Sequence, residues 1–335
     1  MSASVQELLS SFTQPLQEKI PVRKRRKRVI VVAGPTGVGK TALSLQLARA
    51  AGGEVISADS MQVYRGMDVG TAKVGVQERA EIPHHLIDVR DLTDEFNVVD
   101  FFIEAGQALK EILERGHVPI VTGGTGFYIH ALLYGPPSGP PSVPEVRKKL
   151  ELEMEEQGTL ALYERLHRLD PDYAVTITQR DKHKIIRALE IISLTNRRVS
   201  LFSQAPPLAH EDYDFRCWFI YMPKEALYPR IEQRCEAMVA YGLVEEVRAL
   251  ERAGLRENRS ASQAIGYRQC LDYLRSQQTP EDWQAFLTAF KQASRRYAKR
   301  QFTWFRREPL FRWLDVTNLS LDALAEIILQ DYELG

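Results

Sequence analysis

VIVVAGPTGVGKTALS, residues 29–44, decides the fold. Val29–Ala33 is a short run of β-branched and small apolar residues, the pattern of a strand buried on both faces. Gly34-Pro35-Thr36-Gly37-Val38-Gly39-Lys40-Thr41 follows and fits GxxxxGK[ST]. Ala42–Ala51 then takes helical spacing. Strand, glycine loop and helix in that order turn backbone N–H groups inward around phosphate oxygens, and the helix N-terminus adds partial positive charge. Lys40 supplies a full charge, and the Thr41 hydroxyl is a candidate Mg²⁺ ligand. Gly34–Thr41 is therefore the expected phosphate-binding loop. The loop alone leaves its ligand open. No NKxD segment is present to read a guanine. Two apolar runs end in a carboxylate, VISAD at 55–59 and HLID at 85–88, so a kinase or ATPase with a magnesium-holding Asp stays possible on these residues.

Outward from the loop the pattern repeats. Glu54–Ala58 reads as a second strand ending at Asp59, and Val99–Arg115 as a helix that stops at Gly116. Val118–Thr122 is a third strand, ending in GGTG. Such alternation gives an α/β fold with a parallel sheet, whose ligands bind beyond the carboxyl ends of the strands. Asp59, Thr125 and the glycine loop all follow strand ends and can converge. GPPSGPPSVP at 135–144 then breaks the pattern. Leu160, Leu162, Leu166 and Leu169 line up before Asp170–Pro171, and Asp181–Leu194 carries Ile185, Leu189 and Ile192 on one stripe. The next strand signal is Arg216–Met222, and Leu227, Ile231, Cys235 and Met238 mark a helix ending near Gly242. The reading is a core of 29–139 and 209–314, a helical insertion over 140–208, a flexible basic tail over 1–28 and a C-terminal segment over 315–335.

Charge sharpens this. The chain has 335 residues, with 44 Lys+Arg against 44 Asp+Glu. The balance hides clusters: RKRRKR at 23–28, and eight Lys/Arg between 291 and 312 against the single acid Glu308. Cations beside Tyr297, Phe302, Trp304 and Phe305 suit a polyanionic partner, with a solvated basic helix as the alternative. No apolar run has the length of a membrane span. Glu7 and Glu18 do not suit a transit peptide. Cys217, Cys235 and Cys270 lack CxxC spacing, which argues against a disulfide framework or a zinc site and for a reducing, cytoplasmic setting.

A series of further segments carries a resemblance. DSMQVY at 59–64, VGTAK at 69–73, HHLID at 84–88, GGTGFY at 123–128, IIRALEI at 185–191, AIGYRQ at 264–269 and KRQFTWFR at 299–306 come in that order. The series resembles the tRNA dimethylallyltransferases (tRNA isopentenyltransferases) of the bacterial type, from about residue 29 to about residue 314. The resemblance implies a P-loop, nucleotide-kinase-like core with a helical insertion domain that contacts tRNA. It implies a monomeric cytoplasmic transferase in tRNA modification, with no membrane partner. The reaction moves a dimethylallyl group from dimethylallyl diphosphate, aided by Mg²⁺, to N6 of the adenosine at tRNA position 37. The loop then grips the donor's diphosphate rather than ATP. Asp59 is implied as general base, with a magnesium ligand as its other reading. Lys40, Thr125 and Arg230 are implied as diphosphate contacts, though Thr125 alone would read as a helix N-cap and Arg230 alone as a solvent-facing cation. The tRNA contacts implied are Asp59, Ser60, Met61, Gln62, Arg147, Lys182, His183, Lys184, Ile185, Ile186, Ala264, Ile265, Gly266, Tyr267, Arg268 and Gln269. Val38 stands where a small or hydroxyl residue is usual, and Val74 where Pro is usual. Three alternatives remain: an adenylate isopentenyltransferase acting on free AMP, a P-loop small-molecule kinase, and a non-catalytic RNA-binding protein.

Overall fold

The computed structural model describes residues 26–202 and 212–334. The basic tail up to residue 25, the last residues of the expected insertion and residues 209–211 lie outside the described residues. Six parallel strands form one sheet: β1 Lys27–Ala33, β2 Gly53–Ala58, β3 His84–His85, β4 Val118–Gly123, β5 Tyr213–Tyr221 and β6 Arg312–Asp315, in the order β3-β2-β4-β1-β5-β6. β1 is interior, with Ile30 level with Ile120 of β4 and Arg216 of β5. Every side chain from Val29 to Ala33 is fully buried, as a continuous apolar run in a parallel sheet requires.

In chain order the helices are α1 Lys40–Ala51, α2 Val76–Glu81, α3 Val98–Glu114, α4 Gly126–Tyr134, α5 Pro144–Leu169, α6 Pro171–Ala174 and α7 Lys182–Thr195. The C-terminal half adds α8 Lys224–Ala240, α9 Leu243–Arg252, α10 Tyr267–Arg275, α11 Pro280–Phe305 and α12 Leu321–Leu334. α5 to α7 form a separate unit with its own apolar core of Leu150, Met154, Leu162, Leu166, Ile185 and Leu189. Leu160 is not part of it and is 52% exposed. It lies two positions before Leu162, which places it about 200° around the helix from that residue.

Two boundaries move. The tail expected to run to residue 28 ends earlier, because Lys27 and Arg28 already pair in β1. The Arg28 guanidinium donates to the carbonyls of Tyr332 (2.6 Å) and Glu333 (3.0 Å). The described part of the C-terminal segment expected over 315–335 packs on the core. β6 extends the sheet beside β5, and α12 packs against α1 and β1. Trp218 Nε1 of β5 donates to Asp331 of α12 at 3.2 Å. A four-residue edge strand such as RWLD carries too short a pattern to be read from sequence.

Candidate active site

The phosphate loop leaves β1 between β4 and β5. At Gly34 an added Cβ would lie 2.6 Å from the Ile220 carbonyl, so only glycine permits the approach to β5. Val38 is buried and fills the space below the loop, which accounts for an apolar residue there. Lys40 Nζ donates to the carbonyls of Gly34 and Pro35, both at 2.9 Å. Burial lowers the Lys40 pKa to about 7, with the nearby Arg234 charge acting in the same direction and Asp59 opposing. Thr41, next in the chain, is exposed at the start of α1.

Asp59 follows β2, and its Oδ1 accepts from the amides of Met61 (2.8 Å) and Gln62 (3.3 Å). Thr125, after β4, grips both peptides that flank Asp59. Its N–H donates to the Ala58 carbonyl at 3.2 Å, and its Oγ1 accepts from the Ser60 N–H at 3.2 Å. Thr125 stands at the N-cap position of α4, but its hydroxyl makes no capping bond. It orients the carboxylate loop instead.

Asp59 and Thr36 open onto a cavity of about 290 Å³ whose apolar wall includes Ile231, Met238 and Phe290. Of the two α8 arginines, Arg234 stands at this cavity and Arg230 does not. Arg234 lines it and donates from Nη1 to Thr36 Oγ1 at 2.7 Å, whereas Arg230 is exposed and does not line it. Burial lowers the Arg234 pKa, with Asp59 opposing. Ile231, between the two, packs against the loop at Gly37. Three residues of α11 complete the site, and sequence reasoning gave none of them a role at the phosphate loop. Tyr297 lines the cavity and donates its hydroxyl to the Gly124 carbonyl at 3.2 Å, and burial raises its pKa. Arg300 lies over the Tyr297 ring at 5.4 Å and also lines the cavity. Gln301 reaches the phosphate loop itself, accepting from the Thr36 N–H at 2.9 Å. In the sequence, Arg300 and Gln301 fall in the KRQFTWFR segment, and Tyr297 and Arg300 in the basic, aromatic run read as a polyanion-binding face. Among the described residues no group of three or more His, Cys, Asp or Glu side chains could hold a metal ion.

The residues expected to touch tRNA divide. Asp59, Ser60, Met61, Ala264, Ile265 and Tyr267 line the cavity. Gln62 bonds to Ser57 and to the Thr71 carbonyl. Arg268 is exposed, and so are Lys182, His183 and Lys184 at the start of α7. Arg147 pairs with Glu151 at 3.3 Å. Ile185 and Ile186 are not surface contacts, because both are buried in the insertion's own core. Gln269 is buried too, and its Oε1 accepts from the Gly266 N–H at 2.8 Å. Tyr267 donates to Glu246 at 2.6 Å, and the same carboxylate accepts from the amides of Asp68, Val69 and Gly70. The basic run on α11 is partly spent inside the protein. Lys291 pairs with Glu236 at 2.5 Å and Arg295 pairs with Glu232, both on α8. Arg296, Lys299, Arg306 and Arg307 stay exposed.

Residues 62–308 match the family model described as IPP transferase. The chain is 58% identical over 332 residues to the tRNA dimethylallyltransferase of Protochlamydia amoebophila (strain UWE25), covering 98% of this chain and 96% of that protein. It is 49% identical to the tRNA dimethylallyltransferase of Chlamydia pneumoniae, over 94% of this chain and 92% of that one. Among solved structures, the tRNA isopentenylpyrophosphate transferase of Bacillus halodurans superposes with a TM-score of 0.65 at 38% identity, covering 92% of this chain and 95% of that chain. A eukaryotic dimethylallyltransferase acting on tRNA superposes with a TM-score of 0.73 at 30% identity, covering 88% and 75%.

Proposed function

The chain belongs to the IPP transferase family, the tRNA dimethylallyltransferases, and on that premise we propose how its residues carry out the reaction. It is an enzyme that transfers a dimethylallyl group to an adenosine of tRNA near the anticodon. The acceptor atom is N6 of adenosine 37, and the donor is dimethylallyl diphosphate. The observation that carries the assignment is the pair of cations Lys40 and Arg234, both with pKa values lowered by burial, beside a glycine loop. Two partly buried cations, held at the loop by hydrogen bonds to Gly34, Pro35 and Thr36 with Asp59 beside them, are poised for a polyanion, and a diphosphate supplies that charge. Strand, loop and helix support a nucleotide-kinase-like core turned to this different ligand.

The adenine amino group attacks the first carbon of the dimethylallyl chain. The carbon–oxygen bond breaks, and its electron pair leaves on the diphosphate. Asp59 takes the N6 proton, since its Oδ1 is fixed by two amides and the carboxylate faces the cavity. Lys40, Arg234 and the loop amides stabilise the charge gathering on the leaving oxygens. Mg²⁺ fits the donor set, because it needs only one or two protein oxygens beside phosphates, and the exposed Thr41 hydroxyl offers one. Bound with the diphosphate, the ion would neutralise part of its charge. Ile231, Met238 and Phe290 keep water from the allylic carbon. The acceptor base must leave its stack to enter, and exposed Lys182, Lys184 and Arg268 are available to hold the surrounding RNA backbone. The working unit in this reading is a monomer.

Purified protein is given unmodified tRNA and labelled dimethylallyl diphosphate, and the labelled nucleotide is mapped. Label on the adenosine beside the anticodon is expected. Label that moves equally well to free AMP would favour the small-acceptor reading. Asp59→Ala is expected to slow transfer by about 10²-fold or more while tRNA binding stays near wild type. Full turnover in that variant would remove Asp59 from the chemistry.

A further inference from the structure

The reaction joins atoms held by two loops that the sheet does not connect directly. The donor sits on the loop after β1 and the general base on the loop after β2, and β4 lies between those strands. Beyond the strand ends no ladder hydrogen bond fixes one loop against the other. Gln301 crosses the gap. It is 4% exposed, near the C-terminal end of α11. Its Oε1 accepts from the Thr36 N–H at 2.9 Å, and its Nε2 donates to the Gly124 carbonyl at 3.0 Å. Thr36 belongs to the phosphate loop, and Gly124 directly precedes Thr125, which holds the peptides on both sides of Asp59. The carboxamide therefore links the donor cradle, through Gly124 and the adjoining Thr125, to the backbone on both sides of the base. Gly124 has no room for a side chain on account of it, since an added Cβ would lie 2.2 Å from Gln301 Nε2.

We propose that Gln301 is a positioning residue for prenyl transfer: a brace that sets the distance between the diphosphate cradle and the Asp59 loop. This rests on the reading of the site given above. Gln301 does not line the cavity, and both ends of its carboxamide are engaged, so it acts through Thr36 and Thr125 rather than on substrate. A brace of this kind governs how often bound reactants are aligned, not how tightly either is held. Its loss belongs in kcat.

The test is Gln301→Met, which keeps length and volume and removes both hydrogen bonds. In single turnover with saturating tRNA and dimethylallyl diphosphate, the rate is expected to fall by about 10²-fold. The donor's half-saturating concentration and the tRNA Kd are expected to stay within about threefold of wild type. Gln301→Glu keeps the acceptor for Thr36 and loses the donor to Gly124. It is expected to be slow as well, and it carries the test if the Met variant does not fold. A wild-type rate in the folded variant overturns the brace, and so does a rate loss matched by an equal loss of donor affinity. If wild-type protein itself transfers no prenyl group, the functional reading fails rather than the brace.

Discussion

Lys40 and Arg234 share one electrostatic problem, which is that each is desolvated without an equal counter-charge. For Lys40 this sets a pH dependence with a defined sign. Its pKa in the free protein is lowered to about 7, and a bound diphosphate, being anionic, raises it again. Donor binding therefore takes up a proton above that pKa. The donor's half-saturating concentration should be flat below pH 7 and climb above it, by up to about tenfold per pH unit. Measuring it between about pH 6 and about pH 9 checks this, and a flat profile would mean that Lys40 stays charged throughout. For the arginines, Arg234→Ala removes a charged hydrogen bond to the loop and should weaken donor use by roughly 10²-fold. Arg230→Ala should change it little, and the reverse pattern would restore Arg230 to the site. The two could not be separated from sequence. Each directly precedes a member of the Leu227, Ile231, Cys235, Met238 stripe, so helical spacing treats them alike. What separates them is the position of Thr36, which α8 meets only in three dimensions.

At the scale of elements, the insertion behaves as a unit because one buried carboxylate ties down its entry. Glu190 of α7 is fully buried and accepts from Ser142 Oγ (2.6 Å), the Val143 N–H (2.8 Å) and Arg187 (2.8 Å). Glu190→Ala strands those donors and should cost about 2 kcal/mol. Since α5 to α7 have their own core, the loss should be local. Hydrogen exchange should quicken over 144–195 while β1 to β5 stay protected, and turnover on tRNA should drop without a matching loss of donor affinity. Uniformly faster exchange would mean that the insertion and the sheet unfold together. The insertion, the strand–loop–helix unit and the strands before Asp59 and Thr125 were all legible in the sequence, because each has a hydrophobic period or a break of Gly and Pro. β6 was not, since an edge strand of four residues has no period to detect, whereas α12 carries a helical stripe of Leu321, Leu324, Ala325 and Ile328 that the sequence does display. The roles of Tyr297 and Gln301 were hidden for another reason. On a helix their spacing only marks a face, and that face acquires meaning from the Gly124 backbone 177 residues earlier in the chain.

The whole molecule is formally neutral, yet its exposed cations are not evenly spread. Acids on α8 quench Lys291 and Arg295, so the eight cations counted between 291 and 312 overstate what an RNA would meet. Arg296, Lys299, Arg300, Arg306 and Arg307 remain exposed on or just beyond α11, and Lys148, Lys149, Lys182 and Lys184 on the insertion. Lys184 lies 3.4 Å from Asp181 in an exposed pair that salt readily loosens. If these two groups of cations hold the anticodon arm, each phosphate neutralised releases condensed counterions. The logarithm of the tRNA association constant should then fall linearly with the logarithm of salt concentration, with a slope of about −0.7 to −0.9 per phosphate contacted. Replacing Lys182 and Lys184 together by Gln should make the slope shallower by about one to two units, while Lys299→Gln and Arg306→Gln should do the same from the other side. Donor affinity should respond far less to the same salt, because Lys40 and Arg234 are enclosed and screened less than surface charges. Equal salt slopes for tRNA and donor, or a tRNA slope unchanged by all four substitutions, would move the RNA-binding surface away from both groups.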